Sequence, residues 1–120
     1  MGEIEAGATG AAWTRREVEL VVSVYLHMLR MQLMGQTPNK AEHNRQLQSM
    51  LPARSKSSIE YKHCNISAVL VELGVPPLVG YKPLFNYQQL LILVVWRLSE
   101  RTRGWMKPHC AKSRHPPRHR

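Results

Sequence analysis

Apolar residues recur along this chain with a helical period and nowhere with the alternation of a hairpin. Val18, Val21, Val22, Tyr25, Met28 and Leu29 fall on one stripe at 3.6-residue spacing. Ahead of them, Thr14 and Glu17 stand in capping-box register, and Trp13 and Val18 occupy the two positions of a hydrophobic staple. Leu20, Val24 and Leu26 lie off the stripe, so the helix should be covered on more than one side. Gln32 is the first polar residue on the stripe, with Leu33 beside it; the pattern predicts a helix to Met34, stopped by Gly35. Asn39, with Glu42 three residues on, opens a second helix that runs to about Met50 or Leu51 and ends at Pro52. Its few apolar residues (Ala41, Leu47, Met50, Leu51) predict a surface position.

Ser57-Ser58-Ile59-Glu60 has the form of a third capping box, opening a helix that stops at Gly74 before Pro76 and Pro77. On a wheel of 100° per residue, Ile59, His63, Ile66, Leu70 and Leu73 cluster within about 80°, with Val69 beside them. Tyr61, Asn65, Ala68 and Glu72 should face the other way, and Lys62 should border the apolar stripe. A loop with three Pro and one Gly follows, Val75 to Leu84. Asn86 with Gln89, and the staple pair Phe85 and Leu90, then predict the start of a last helix. The apolar run Leu90 to Trp96 could be a strand by composition, but its flanks NYQQ and RLSER favour a helix, and a lone strand would have no partner. The expected fold is all-α, a small four-helix domain with the first and last helices forming the core. A flexible N-terminus over 1–12 precedes the helical domain at 13–101, and a disordered basic C-terminal tail is expected over 102–120, where three Pro, three His and six Lys/Arg show no apolar period.

Charge is unevenly placed. The formal net charge is +9, of which residues 1–101 carry +3 and the last 19 residues +6. The body is thus only mildly basic, and net charge by itself is a poor argument for a nucleic-acid partner. There is no Asp, so carboxylate chemistry would rest on eight Glu. Cys64 and Cys110 make no disulfide framework and fit a reducing cytosol. The first twelve residues lack a charged-then-apolar signal layout, and seven apolar residues in a row are far short of the roughly 20 that span a bilayer. A cytoplasmic protein with no membrane partner is expected.

Candidate chemistry concentrates at residues 54–65. Arg54, Ser55, Lys56, Ser57, Ser58, Tyr61, Lys62 and Asn65 offer cations and hydrogen-bonding side chains around a helix start, the groups that phosphates and base edges require. The short turn between the second and third helices is compatible with a helix–turn–helix arrangement on DNA. The plain alternative makes RSKSS a solvated loop and Tyr61 and Asn65 ordinary surface. A second possibility is a protein-docking module without nucleic-acid contact, anchored on Tyr81, Phe85, Tyr87 and Trp96, which would otherwise be core and loop packing. Glu60 and His63, with Lys62 nearby, have the spacing of a proton-sharing pair, but His63 falls on the apolar face, where a hydrogen-bonded core histidine is expected. No nucleophile elbow, phosphate loop or acidic metal cluster occurs, so neither enzyme activity, a cofactor nor a small-molecule substrate is expected. His109, Cys110, His115 and His119 include an H-x3-H spacing, but they lack the Cys pairs and the fold of a structural zinc site.

One stretch also carries a family resemblance. The string RS-x-x-SIE-x-KH-x-NISAVL-x-ELG-x-P-x-x-x-GYKP-x-x-NYQ over residues 54–88, with NKAEH upstream and the Trp13-Thr14 start, resembles an N-terminal helical domain of bacterial restriction and defence proteins. It covers residues 13–100. Domains of this kind precede HNH-type nucleases or a domain related to the plant protein NO VEIN. The resemblance implies a non-catalytic targeting or assembly module for a neighbouring effector, and it carries over no catalytic residue. The Pro/His/Arg tail departs from that pattern and looks like a truncated or out-of-frame end.

Overall fold

The first helix begins where its capping residues say it must. In the computed structural model, which describes residues 12–101, α1 spans Arg15–Leu33 and is capped reciprocally by Thr14 and Glu17. Its inner face buries Val18, Val21, Val22, Tyr25, Leu26, Met28 and Leu29, while Leu20 and Val24 are partly covered. It closes in a Schellman motif. The Gln36 N–H reaches the Met31 carbonyl at 2.9 Å and the Gly35 N–H the Gln32 carbonyl at 3.0 Å, which requires the positive φ of 85° that Gly35 supplies.

Helix α2, Lys40–Met50, is capped by Asn39, whose side chain accepts the Glu42 N–H at 3.0 Å. The Glu42 carboxylate does not complete the box; it turns instead to Arg45 and Gln46. Only Asn44 and Leu47 of this helix are buried, in keeping with its polar sequence.

Helix α3, Lys56–Leu73, starts two residues earlier than the Ser57–Glu60 pair predicts. Ser55 is the cap. Its hydroxyl accepts the Ser58 N–H at 3.1 Å, and the Ser58 hydroxyl accepts the Ser55 N–H at 3.0 Å, so a second serine does the work of the usual Glu. Glu60 is left to pair with Lys56 one turn back at 3.8 Å. At the other end Gly74 (φ 82°) closes the helix, with the Val75 N–H on the Leu70 carbonyl at 2.9 Å.

Helix α4, Gln89–Arg101, starts two residues later than an Asn86 cap would place it. Segment 84–88 is held out along α3: the Leu84 N–H bonds the Cys64 carbonyl at 3.1 Å and the Leu84 carbonyl accepts the Asn65 amide at 2.7 Å. Asn86 donates to the Tyr61 hydroxyl at 2.6 Å, and Phe85 stays exposed rather than forming a staple.

The same strapping changes the centre of the fold. Helices α1 and α4 do pack together, but α3 is the most enclosed element, burying Ile59, Lys62, His63, Ile66, Val69, Leu70 and Leu73. Asn65 and Ala68, expected on an open face, are buried because the returning loop covers them. That loop is pinned from below. The Tyr25 hydroxyl accepts the Leu78 N–H at 2.8 Å and shares a proton with the Ser67 hydroxyl at 2.7 Å, and Gln32 bonds the Val79 N–H at 2.9 Å. Burial, only partly countered by these bonds, pushes the Tyr25 phenol up to about 12. The fold is all-α with four helices, and no described helix is long and apolar enough to cross a membrane. The expected flexible N-terminus and basic tail lie almost wholly outside the described residues.

His63 sits at the middle of this core, its ring 4.9 Å from that of Tyr81 and 5.6 Å from that of Tyr25. It is a core histidine, as its place on the apolar face predicts, but neither ring nitrogen makes a hydrogen bond. Burial pushes its pKa down to about 4, against an ordinary 6.5, and a backbone group of Val21 offsets this only in part. Between these two values the unfolded chain binds more protons than the folded one, so stability falls as the pH drops from 6.5 towards 4. The loss should total about 3 kcal/mol. Denaturant titrations of the wild type and His63→Leu across this range should differ by a pH-dependent amount of that size, flat above pH 6.5. Tyr25→Phe, which strips the Leu78 amide and the Ser67 hydroxyl of their shared partner, should cost about 1–3 kcal/mol by the same titration at neutral pH.

Candidate functional site

Beside the start of α3 lies a cleft of about 440 Å³, lined by Trp13, Ser57, Tyr61 and Lys62 on one side and by Asn86, Tyr87 and Gln88 on the other. Three chain segments far apart in sequence make it: the entry to α1, the first turns of α3, and the strap that runs into α4. A second cleft, about 450 Å³, lies where α1 meets α4, but its polar groups, Arg16, Glu19, Ser23 and Arg97, are solvated and of mixed charge.

An ion pair sits against Trp13, one of the residues lining the first cleft. Arg54 reaches back 37 residues to grip Glu17 through two bonds, Nη2 to Oε1 at 2.8 Å and Nε to Oε2 at 3.3 Å, and also donates to the Ala12 carbonyl at 2.8 Å. Burial alone would raise the Glu17 carboxyl, but the Arg54 hydrogen bonds and charge, with the Thr14 amide, hold it below its ordinary value. The guanidinium lies 4.5 Å from the centre of the Trp13 ring.

Lys62 lies over the same ring, its ammonium 4.9 Å from the centre, and donates to the Gln88 side chain at 3.3 Å. It is only 6% exposed, yet among the described residues no carboxylate pairs with it. Glu17 is taken by Arg54, Glu60 by Lys56, and Glu72 accepts the Tyr87 hydroxyl. Burial, with the nearby Arg54 charge, pushes the Lys62 amine down to about 8.

The eight residues singled out in the sequence therefore separate into groups. Arg54 is a buried, neutralised strut and not an open cation. Asn65, 2% exposed, spends its amide on the Leu84 carbonyl and is no reader of base edges. Ser55 and Ser58 are the helix cap, with Ser55 at the cleft edge. Lys56 is exposed, Ser57 and Tyr61 line the cleft, and Lys62 is its buried cation. Most of α3 is buried, and Lys56, Ser57, Tyr61, Val71 and Glu72 are its exposed positions, so the helix presents little of the continuous polar face that a recognition helix lays in a major groove.

Sequence patterns passed over Asn86, Tyr87 and Gln88 as cleft residues, because Asn86 and Gln89 mimic a capping box and nothing local places them against α3. Of the proposed aromatic anchors, Tyr81 is core, Trp96 packs against the core, Tyr87 lines the cleft and Phe85 alone is open, at 54% exposure. Glu60 and His63 share no proton, since Glu60 faces Lys56 and His63 faces the core rings. No His/Cys/Glu cluster suited to a metal occurs among the described residues, and His109, Cys110, His115 and His119 lie outside them. No protein-family model, curated protein or solved structure matches the chain.

Arg54 and Lys62 should respond oppositely to removal. Arg54→Ala leaves the Glu17 carboxylate half-enclosed without its cation and unties α1 from α3, at a cost of about 3 kcal/mol. Lys62→Met removes an uncompensated charge while keeping the volume, and should be neutral or stabilising by up to about 2 kcal/mol. Thermal and denaturant unfolding of the two variants beside the wild type measures both.

Proposed function

We propose that this chain is a non-catalytic helical module that docks on DNA and places an associated nuclease or defence effector there. The observation that carries the reading is Lys62: a cation held 6% exposed at a cleft, with no carboxylate among the described residues to neutralise it. A buried charge of this kind is costly to the fold, and a bound anion is the partner that would offset the cost. The cleft adds donors suited to phosphate oxygens, namely the hydroxyl and the backbone amide of Ser57, which lies ahead of the helix ladder and between the capping residues Ser55 and Ser58 that satisfy each other. Exposed Lys56 stands at the same end. The resemblance of residues 54–88 to the targeting domains of restriction and defence proteins agrees with this role.

These contacts would position the module on the phosphate backbone and would not read sequence. The six cations of the tail would add a salt-sensitive, non-specific attraction to any polyanion. A second reading, docking of a protein partner without nucleic acid, draws on exposed Phe85 and on Tyr61, at 45% exposure.

A salt titration separates the two. Fluorescence anisotropy of labelled DNA with the full chain should give a Kd that weakens steeply with salt. Lys62→Met should weaken binding at least tenfold and lower the log–log salt slope by about one. Binding that Lys62→Met leaves unchanged, but that is lost when the tail cations Arg103, Lys107, Lys112, Arg114, Arg118 and Arg120 are replaced by Gln, would sink the cleft reading in favour of the tail.

A further inference from the structure

The shape of the cleft restricts which form of DNA reaches Lys62. With so little of its side chain exposed, the ammonium is met only by a group that enters the concavity. Duplex phosphates ride on a stiff convex rod, and their neighbours strike the rim first. A single strand can turn one nucleotide inward. The volume of about 440 Å³ lies within the roughly 300–1,000 Å³ usual for small-ligand pockets.

The lining is also that of a base-stacking site. Trp13 is taken by Arg54 and Lys62, but Tyr61 and Tyr87 also stand around the cleft, and each base of an unpaired strand offers a π-face to rings of this kind. Asn86 donates to Tyr61 and keeps its carbonyl oxygen; Gln88 accepts from Lys62 and keeps its amide hydrogens. The walls thus offer one acceptor and a pair of donors of the kind a base edge takes. The outer face of α3, which a duplex reader would need, is covered by the strap through Leu84.

We infer that the cleft binds one unstacked nucleotide of single-stranded DNA, its phosphate on Lys62 and the first turn of α3 and its base against Tyr61 and Tyr87. This rests on the DNA-docking reading and narrows it from DNA in general to an unpaired strand. Tyr61 is a rim ring and Lys62 the buried anchor; Asn86 and Gln88 orient the two.

The test uses the full chain, a fluorescent single-stranded dT12 oligonucleotide, the dA12–dT12 duplex, and a polyglutamate peptide of equal charge. The strand should bind at least tenfold more tightly than the duplex at 150 mM salt. Lys62→Met, shown to be folded by its unfolding midpoint, should erase that preference, and Tyr61→Ala should weaken strand binding roughly tenfold while changing duplex binding little. Equal strand and duplex affinity, both dependent on Lys62, would overturn the unpaired-nucleotide inference and leave DNA docking standing. Polyglutamate competing as well as the strand would overturn it in favour of an acidic protein partner, since that peptide carries no ring to stack. Strand binding that ignores both substitutions would overturn the inference and the DNA-docking reading together.

Discussion

One carboxylate serves two helix starts, and the candidate site follows from how it is spent. Glu17 caps α1 by accepting the Thr14 N–H at 3.0 Å, and the same carboxylate holds Arg54, just ahead of the Ser55 cap of α3. The two helix entries are thereby fixed side by side with Trp13 between them. Two cations, Arg54 and Lys62, approach that ring, but among the described residues one carboxylate, Glu17, is paired there, and with Arg54 alone. Arg54 takes it in a two-point grip, which a planar guanidinium makes and an ammonium does not. Lys62 is left with a ring and an amide oxygen, and its charge looks into a cleft.

The legible part of this architecture is the local part. Thr14 and Glu17, Asn39, Gly35 and Gly74 act within a few residues of themselves, so they bound their helices where the pattern says. The errors arise where a distant segment competes with a local signal. Ser57 and Glu60 have the spacing of a capping box, yet the Ser55–Ser58 pair starts α3 one half-turn earlier and leaves Glu60 for Lys56. Asn86 has a cap's register, but Asn65 and Tyr61 on α3 hold that segment extended, and the helix waits until Gln89. A helical wheel places Asn65 and Ala68 opposite the apolar stripe without showing that the loop returns to cover them. Periodicity describes one helix; it has no access to a strap that arrives twenty residues later.

The same distinction governs the candidate site. The string Arg54 to Asn65 draws attention through its cations and polar groups, and the fold divides those groups by burial and not by type. Arg54 and Lys62 read alike in sequence as basic residues beside a helix start. One is a structural strut because Glu17 reaches it, and the other meets Gln88 and Trp13 but no carboxylate of the described residues. That difference depends on a contact between residues 37 apart, which spacing cannot disclose.

Packing alone gives no account of Lys62. A methionine would fill its place over Trp13 without the desolvation of an ammonium, and a lysine needing only solvation would point away from the ring, as long side chains do at surfaces. The cation–π contact contributes about 0.5–2 kcal/mol, comparable to or below the cost of burying the charge. A residue that weakens the fold at a concave, aromatic-lined site is accounted for more economically by what enters the site than by what surrounds it. The buried His63, next to it on the same helix, makes the contrast: its ring nitrogens lack the hydrogen bond that Lys62 makes to Gln88, but it is neutral and enclosed by Tyr25 and Tyr81. At Lys62 a buried charge that no carboxylate of the described residues offsets coincides with a place in the cleft lining.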